Sequence, residues 1–210
     1  MLTRVGFMRF LPFVVAMATI VVLSNFLVQF PVQFQIASLQ LADLLTWGAF
    51  TYPLAFLITD LTNRHFGPVG ARAVVMVGFV IAVALSFLLA TPRIAIASGI
   101  AFFLAQMLDV SVFNRLRNGG WWKAPLISSF LGSVLDTTIF FTLAFALQFA
   151  FLGAVDSFVS EDASVLGVFP AEMPRWMSWA IGDFVVKILV AVAMLMPYGM
   201  LRSLDIQRPD

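Results

Sequence analysis

The sequence has 210 residues, 61% of them hydrophobic and 11% charged, with a mean hydropathy of +1.00 and a formal net charge of +1. That balance excludes an ordinary soluble domain and marks a membrane protein whose first partner is the lipid bilayer, with no cofactor and no nucleic-acid partner expected. Cysteine is absent, which removes disulfides, thiol nucleophiles and thiolate metal sites together.

The apolar residues fall into six blocks, 10–30, 44–62, 69–90, 94–113, 125–151 and 176–198. Each is near the roughly 20 residues that cross about 30 Å of hydrocarbon as a helix. None alternates apolar and polar residues over about ten positions, as the strands of a membrane barrel do. The expected fold is all-α, a polytopic bundle of six transmembrane helices forming a single transmembrane domain over residues 1–210. Arg4 and Arg9 precede the first block as they would in a signal peptide, but Ser24-Asn25-Phe26 makes a poor cleavage site. This block is therefore expected to stay as a helix. Residues 31–43 alternate weakly, with Val32, Phe34 and Ile36 set against Gln33, Gln35 and Ser38. Such a pattern suits a small hairpin, a re-entrant piece or, more plainly, an amphipathic connection. The fifth block is long enough to tilt or fray. Residues 153–174, with Asp156, Glu161, Asp162 and Glu172, read as a solvated loop.

Lys and Arg set the orientation, because cytoplasmic loops retain positive charge. Arg4, Arg9, Arg64, Arg72, Arg115, Arg117, Lys123, Arg202 and Arg208 fall on one side, whereas the other has only Arg93 and Arg175. Both termini are accordingly expected in the cytoplasm. Trp121, Trp122, Trp176 and Trp179 lie near the expected interfaces, where aromatic belts form.

Charges inside the blocks call for a reason. Asp60 stands about one helical turn above the cytoplasmic end of the second block, with Asn63 and Arg64 beneath it, and the fourth block repeats the theme in Asp109, Asn114, Arg115 and Arg117. A carboxylate near a helix C-terminus opposes the macrodipole, so helix stability explains neither acid. Each is either paired with a neighbouring Arg64 or Arg115 or placed for a solute. Asp136 and Lys187 lie about 16 Å into their helices, near the midplane. A charge there costs on the order of 3 kcal/mol and has to meet a partner or a water-filled cavity. Asp183 and Lys187 form an i, i+4 pair with the acid first, the favoured order. Asp136 is then either a second partner for Lys187 or a ligand for the solute. Asn25, Gln29 and Gln106, with Ser128, Ser129, Ser133, Thr137 and Thr138, add uncharged polar groups. The small-xxx-small spacings Ser128-Gly132-Asp136 and Gly78-Ala82-Ser86 allow close helix contact, or a homodimer seam.

Four stretches in order, TWGAFTYPLAFLITDLTNRHFG (46–67), QMLDVSVFNRLR (106–117), GSVLDTTIFF (132–141) and DFVVKILV (183–190), resemble the queuosine precursor transporter family. Its members are bacterial inner-membrane proteins of the vitamin-uptake-transporter type. The likeness runs over about residues 44–196; the first block shares only Ser24-Asn25, and neither 31–43 nor the acidic loop carries a matching motif. The resemblance implies uptake of a 7-deazaguanine, such as the cyano or aminomethyl precursor or queuine, that cells convert to a modified tRNA base. Substrate-binding residues on this reading are Asn25, Trp47, Phe50, Tyr52, Asp60, Asn63, Gln106, Asp109, Asp136, Asp183 and Lys187. Local chemistry agrees, since a carboxylate can accept the paired N–H groups of a guanine-like edge while an amide or Lys serves its O6. Trp47, Phe50 or Tyr52 can stack on the flat ring.

No enzyme is expected. His65 is alone in a cytoplasmic turn, and Ala180 stands where a Gly-x-Gly-Asp protease motif ending at Asp183 needs Gly. No GxxxxGK[ST] loop is present, so the chain hydrolyses no ATP itself. Two transport readings stay open: a secondary transporter, which is preferred, and the substrate-binding membrane subunit of an energy-coupling-factor type importer that borrows an ATPase.

Overall fold

The computed structural model describes residues 4–36, 39–155 and 157–202, with only the backbone described for 4–7 and 39. Ser38, Asp156 and Arg208 lie outside the described residues. In chain order the elements are α1 (Arg4–Leu27), β1 (Gln35–Ile36), β2 (Leu39–Gln40), α2 (Trp47–Thr51), α3 (Leu54–Leu89), α4 (Pro92–Leu116), α5 (Lys123–Phe145), α6 (Ser157–Ser160), β3 (Asp162–Val165), β4 (Phe169–Pro174) and α7 (Arg175–Leu201). Five helical stretches are long and apolar enough to cross a membrane: Met8–Leu27, Trp47–Leu89, Pro92–Leu116, Lys123–Phe145 and Arg175–Leu201.

One of these joins two of the six expected blocks. A straight helix of the 36 residues in α3 would be about 54 Å long, far beyond the hydrocarbon thickness. It is broken at Gly67, whose φ of 74° and ψ of −178° fit no helix. Contacts on either side of the break give the directions of the arms. Gly70 faces Phe10 and Gly78 faces Met17, while Ser86 reaches Asn25, so residues 68–89 run parallel to α1. Thr59 bonds Gln106 and Asn63 bonds the Val110 carbonyl, so residues 54–66 run parallel to α4. Phe79 stacks on Phe103 and Gly99 faces Val83, which sets α4 antiparallel to the second arm. The two arms of α3 therefore run in opposite directions.

Other boundaries differ from expectation for local reasons. Helix α5 stops at Phe145, because Ala146 is extended (ψ 137°), and a 3₁₀ turn over Leu147–Leu152 follows; the tail of the fifth block has frayed. Residues 31–43 contain the small hairpin, with Gln35 paired to Gln40 and Ile36 to Leu39, and Pro31 bridging Thr46 behind it. The acidic stretch is a correction: within it β3 and β4 pair antiparallel. Leu166 (φ 54°) and Gly167 (φ 74°) turn this hairpin, left-handed residues of the kind that match strand twist in tight turns. The Leu166 N–H donates to Ser178 Oγ at 3.0 Å, which docks the turn on α7.

The apolar core unites Met17 and Val21 of α1, Ala55, Val74 and Val75 of α3, and Phe102 and Val110 of α4. Both small-residue stripes are used inside the chain. A Cβ at Gly78 would lie 2.8 Å from Met17, and one at Gly132 would lie 2.7 Å from Phe56, so these glycines let α1 and α5 close onto the two arms of α3.

Candidate functional site

Helices α5 and α7 lie antiparallel, with Phe145 against Trp179, Thr137 against Asp183 and Asp136 against Lys187. Lys187 Nζ donates to Asp136 Oδ2 at 2.6 Å, Asp183 Oδ2 at 2.5 Å and Thr137 Oγ1 at 3.1 Å. An ammonium has three protons, and all three are placed. The Thr137 hydroxyl donates to Asp183 Oδ2 at 2.8 Å, and the Tyr52 hydroxyl donates to Asp136 Oδ1 at 3.2 Å. The Tyr52 ring lies 5.5 Å from Nζ, within cation–π range. Lys187 and Asp136 are buried at 3% and 4% exposure, as charges at mid-helix must be unless they face water. Two carboxylates around one ammonium leave the ionised cluster with one negative charge in excess.

This cluster is the floor of a partly open cavity of about 490 Å³, formed where α1, α5 and the second arm of α3 end and α4 and α7 begin. Its volume falls in the range of small-molecule sites. Asn25 is on the wall, its Nδ2 donating to the Val21 carbonyl at 2.9 Å and its Oδ1 accepting from Ser86 Oγ at 3.4 Å. Phe140, Phe141, Phe145 and Trp179 add apolar wall, and Gln29 and the exposed Asp43 line it as well.

The eleven residues expected to bind substrate are thus divided. Asn25, Tyr52, Asp136, Asp183 and Lys187 meet at the cavity. Trp47 and Phe50 do not line it: Trp47 is 49% exposed, and Phe50 packs near Val32, Leu45 and Val186. Asp60, Asn63, Gln106 and Asp109 form a second buried cluster, with Asp60 on the first arm of α3 eight residues after Tyr52 in the chain. There the Thr59–Gln106 and Asn63–Val110 hydrogen bonds bring Asp60 and Asp109 onto adjoining turns of two parallel helices, and Ser128 Oγ donates to Asp60 Oδ1 at 3.3 Å. Local pairing with arginine is overturned. Arg64 instead donates to the Arg117 carbonyl at 2.9 Å and Arg117 to the Arg64 carbonyl at 3.3 Å. Among the described residues no ion pair involves either acid.

Two residues carry more than the sequence suggested. Trp179, read as part of an aromatic belt, lines the cavity, and the spacing Trp179, Asp183, Lys187 at i, i+4 and i+8 on one face was the available signal. Arg93, expected on an outer loop, is 2% exposed and donates to the carbonyls of Leu143, Ala146 and Gly153 at 2.9, 2.7 and 2.9 Å. It caps the C-terminal end of α5, where the helix dipole favours a cation.

Lipid-length helices around a half-open cavity of solute size with a charged floor define a multi-pass membrane protein of the solute-carrying class. The family described as "Putative vitamin uptake transporter" matches residues 46–91 and 85–201. The chain is 34% identical over 207 residues to the "Queuosine precursor transporter" of Escherichia coli, covering 88% of this chain and 82% of that protein. It is 32% identical over 217 residues to the "Probable queuosine precursor transporter" of Haemophilus influenzae, covering 90% and 84%, and 27% identical over 189 residues to that of Bacillus subtilis, covering 73% and 69%. No solved structure matches the chain significantly. The chain belongs to the queuosine precursor transporter family, of the vitamin-uptake-transporter type, and is a multi-pass inner-membrane protein.

Proposed function

We propose that the protein is a secondary transporter that takes up queuosine precursors, 7-deazaguanines such as the cyano or aminomethyl form or queuine, across the inner membrane. On this reading one transmembrane domain crosses six times, the chain reversing at Gly67, with both termini in the cytoplasm. The observation that carries it is Lys187 held between Asp136 and Asp183 on the floor of a cavity sized for one flat heterocycle. An ion pair that only joined helices would be sealed, yet the Asp183 side chain is 16% exposed and lines the cavity. Both donors to Asp183 reach Oδ2, which leaves Oδ1 with its lone pairs for the N–H groups of a guanine-like edge. Tyr52 and Trp179 offer faces on which the ring can stack, and the Asn25 amide offers polar contact from the wall.

The orientation rests on charge. The cavity is at the end of the bundle away from Arg64, Arg117, Lys123 and Arg202, so the positive-inside rule turns it outward. Leu61, Phe113, Ala124 and Tyr198 close the other end.

Purified protein in liposomes, with no other subunit, is expected to exchange labelled precursor across the bilayer, and Asp183→Asn to abolish the exchange. Binding without exchange would move the assignment to a substrate-binding subunit that needs an ATPase partner.

A further inference from the structure

The Asp60–Asp109 pair is outside the cavity, and the substrate reading gives it no work. We propose that Asp60 and Asp109 together form a proton-binding site that couples transport to the proton gradient, an inference that rests on the secondary-transporter reading.

Geometry supplies the first argument. Asp60 and Asp109 are 2% and 0% exposed, and the Thr59–Gln106 and Asn63–Val110 hydrogen bonds hold the two parallel helices together on either side of them. Two buried carboxyls brought side by side cannot both ionise without repelling each other, and one proton held between them removes that repulsion.

The surroundings supply the second. From α5 the pair meets the Ser128 hydroxyl, and from α7 the buried Tyr198 packs with Leu61 and Phe113, the neighbours of the two acids along their helices. Arg72 and Arg115, at the same end of the bundle, are exposed. Arg64 and Arg117 hold each other's carbonyls, Arg202 lies 5.2 Å over the Trp121 ring and Lys123 5.9 Å over Trp122. His65, on the arm of Asp60, lies 5.9 Å from Phe13 of α1. None forms an ion pair with either acid among the described residues.

Unpartnered atoms supply the third. Both oxygens of Asp109, Oδ1 of Asn63 and Nε2 of Gln106 are buried with no hydrogen-bond partner. Such atoms are rare in folded proteins. Here they gather on two parallel helices, Asn63 three residues after Asp60 and Gln106 three before Asp109. Polar capacity left open around one carboxyl pair suits an exchangeable ligand, and a proton is the one that two neighbouring carboxyls hold without further ligands.

Placement gives the coupling. The pair is between the cavity floor and the apolar plug of Leu61, Phe113, Ala124 and Tyr198. One carboxylate takes a proton from the cavity side and returns it as a proton to the cytoplasmic side; no bond to substrate forms and nothing is oxidised.

The test uses full-length protein, with Asp60→Asn and Asp109→Asn keeping size and hydrogen-bonding capacity and thermal unfolding checking the fold. Infrared spectra of the wild type at neutral pH are expected to contain the C=O stretch of a protonated carboxylic acid, lost in both variants. In liposomes an acid-outside pH gradient is expected to raise wild-type accumulation of labelled precursor, while for Asp109→Asn accumulation becomes equal with and without the gradient. Absence of the band in the wild type, its persistence in both variants, or a gradient response that survives Asp109→Asn would overturn the proposal. Accumulation driven by sodium instead of protons would also overturn it. A wild type that shows the band but exchanges no precursor would sink the transporter reading and leave the proton site standing.

Discussion

Lys187 shows how unequal the members of one buried cluster can be. It donates to three oxygens, two of them on carboxylates, so Asp136 and Asp183 both depend on it. Lys187→Ala would leave the buried Asp136 and the cavity-lining Asp183 with no cation, and breaking a buried pair such as Lys187–Asp136 typically costs about 3 to 5 kcal/mol. Asp136→Ala is milder, because Lys187 keeps Asp183 as an i, i+4 partner. The double variant returns to the single excess negative charge of the native cluster. Thermal unfolding of purified variants is therefore expected to order them as wild type, then Asp136→Ala and the double variant, with Lys187→Ala lowest. The double variant should fold and transport nothing. Full uptake by it would reduce the cluster to a helix clamp, and equal loss of stability in the two single variants would contradict the dependence on Lys187.

At the scale of elements, the decisive feature is the reversal inside α3. Gly67 adopts φ 74° and ψ −178°, a region open essentially to glycine alone. Pro68 follows it at the first position of the second arm, where the missing N–H costs nothing and φ is already helical. Nothing lies within 4 Å of a Cβ built at Gly67, so a substitution there strains the backbone and not the packing. Gly67→Ala is expected to destabilise by about 1–3 kcal/mol, read as a lowered midpoint in thermal unfolding of the purified protein. An unchanged midpoint would mean that the reversal does not depend on this residue. Arg93 acts at the same scale, its guanidinium binding the end of α5 to Gly153 and so setting where the helix stops and the cavity wall begins.

The whole molecule is polar in its architecture. One end carries the cavity and the β3–β4 hairpin, and the other carries Arg64, Arg117 and Arg202 and an apolar plug. The absence of cysteine makes the orientation testable, because single cysteines can be introduced without background. Glu172→Cys, exposed on β4, is expected to react with a membrane-impermeant thiol reagent added to intact cells, and Asn118→Cys, exposed between α4 and α5, is expected to react only after lysis. The reverse labelling would invert the topology and make the cavity face the cytoplasm.

Sequence by itself determined the membrane class, the apolar blocks and the position of Asp136, Asp183 and Lys187 within them. These follow from hydropathy and helical rise, which act along a single segment, and even the partnership of Asp183 with Lys187 is a local i, i+4 relation. Tertiary structure alone decided which polar groups share a space. Asp60 and Asp136 look alike on paper, each an acid in an apolar helix, yet one meets a second acid from α4 and the other meets a lysine from α7. That difference depends on how α3, α4, α5 and α7 pack against one another. Side chains such as Gly132 and Phe56, far apart in sequence, set that packing through contacts that no single helix contains.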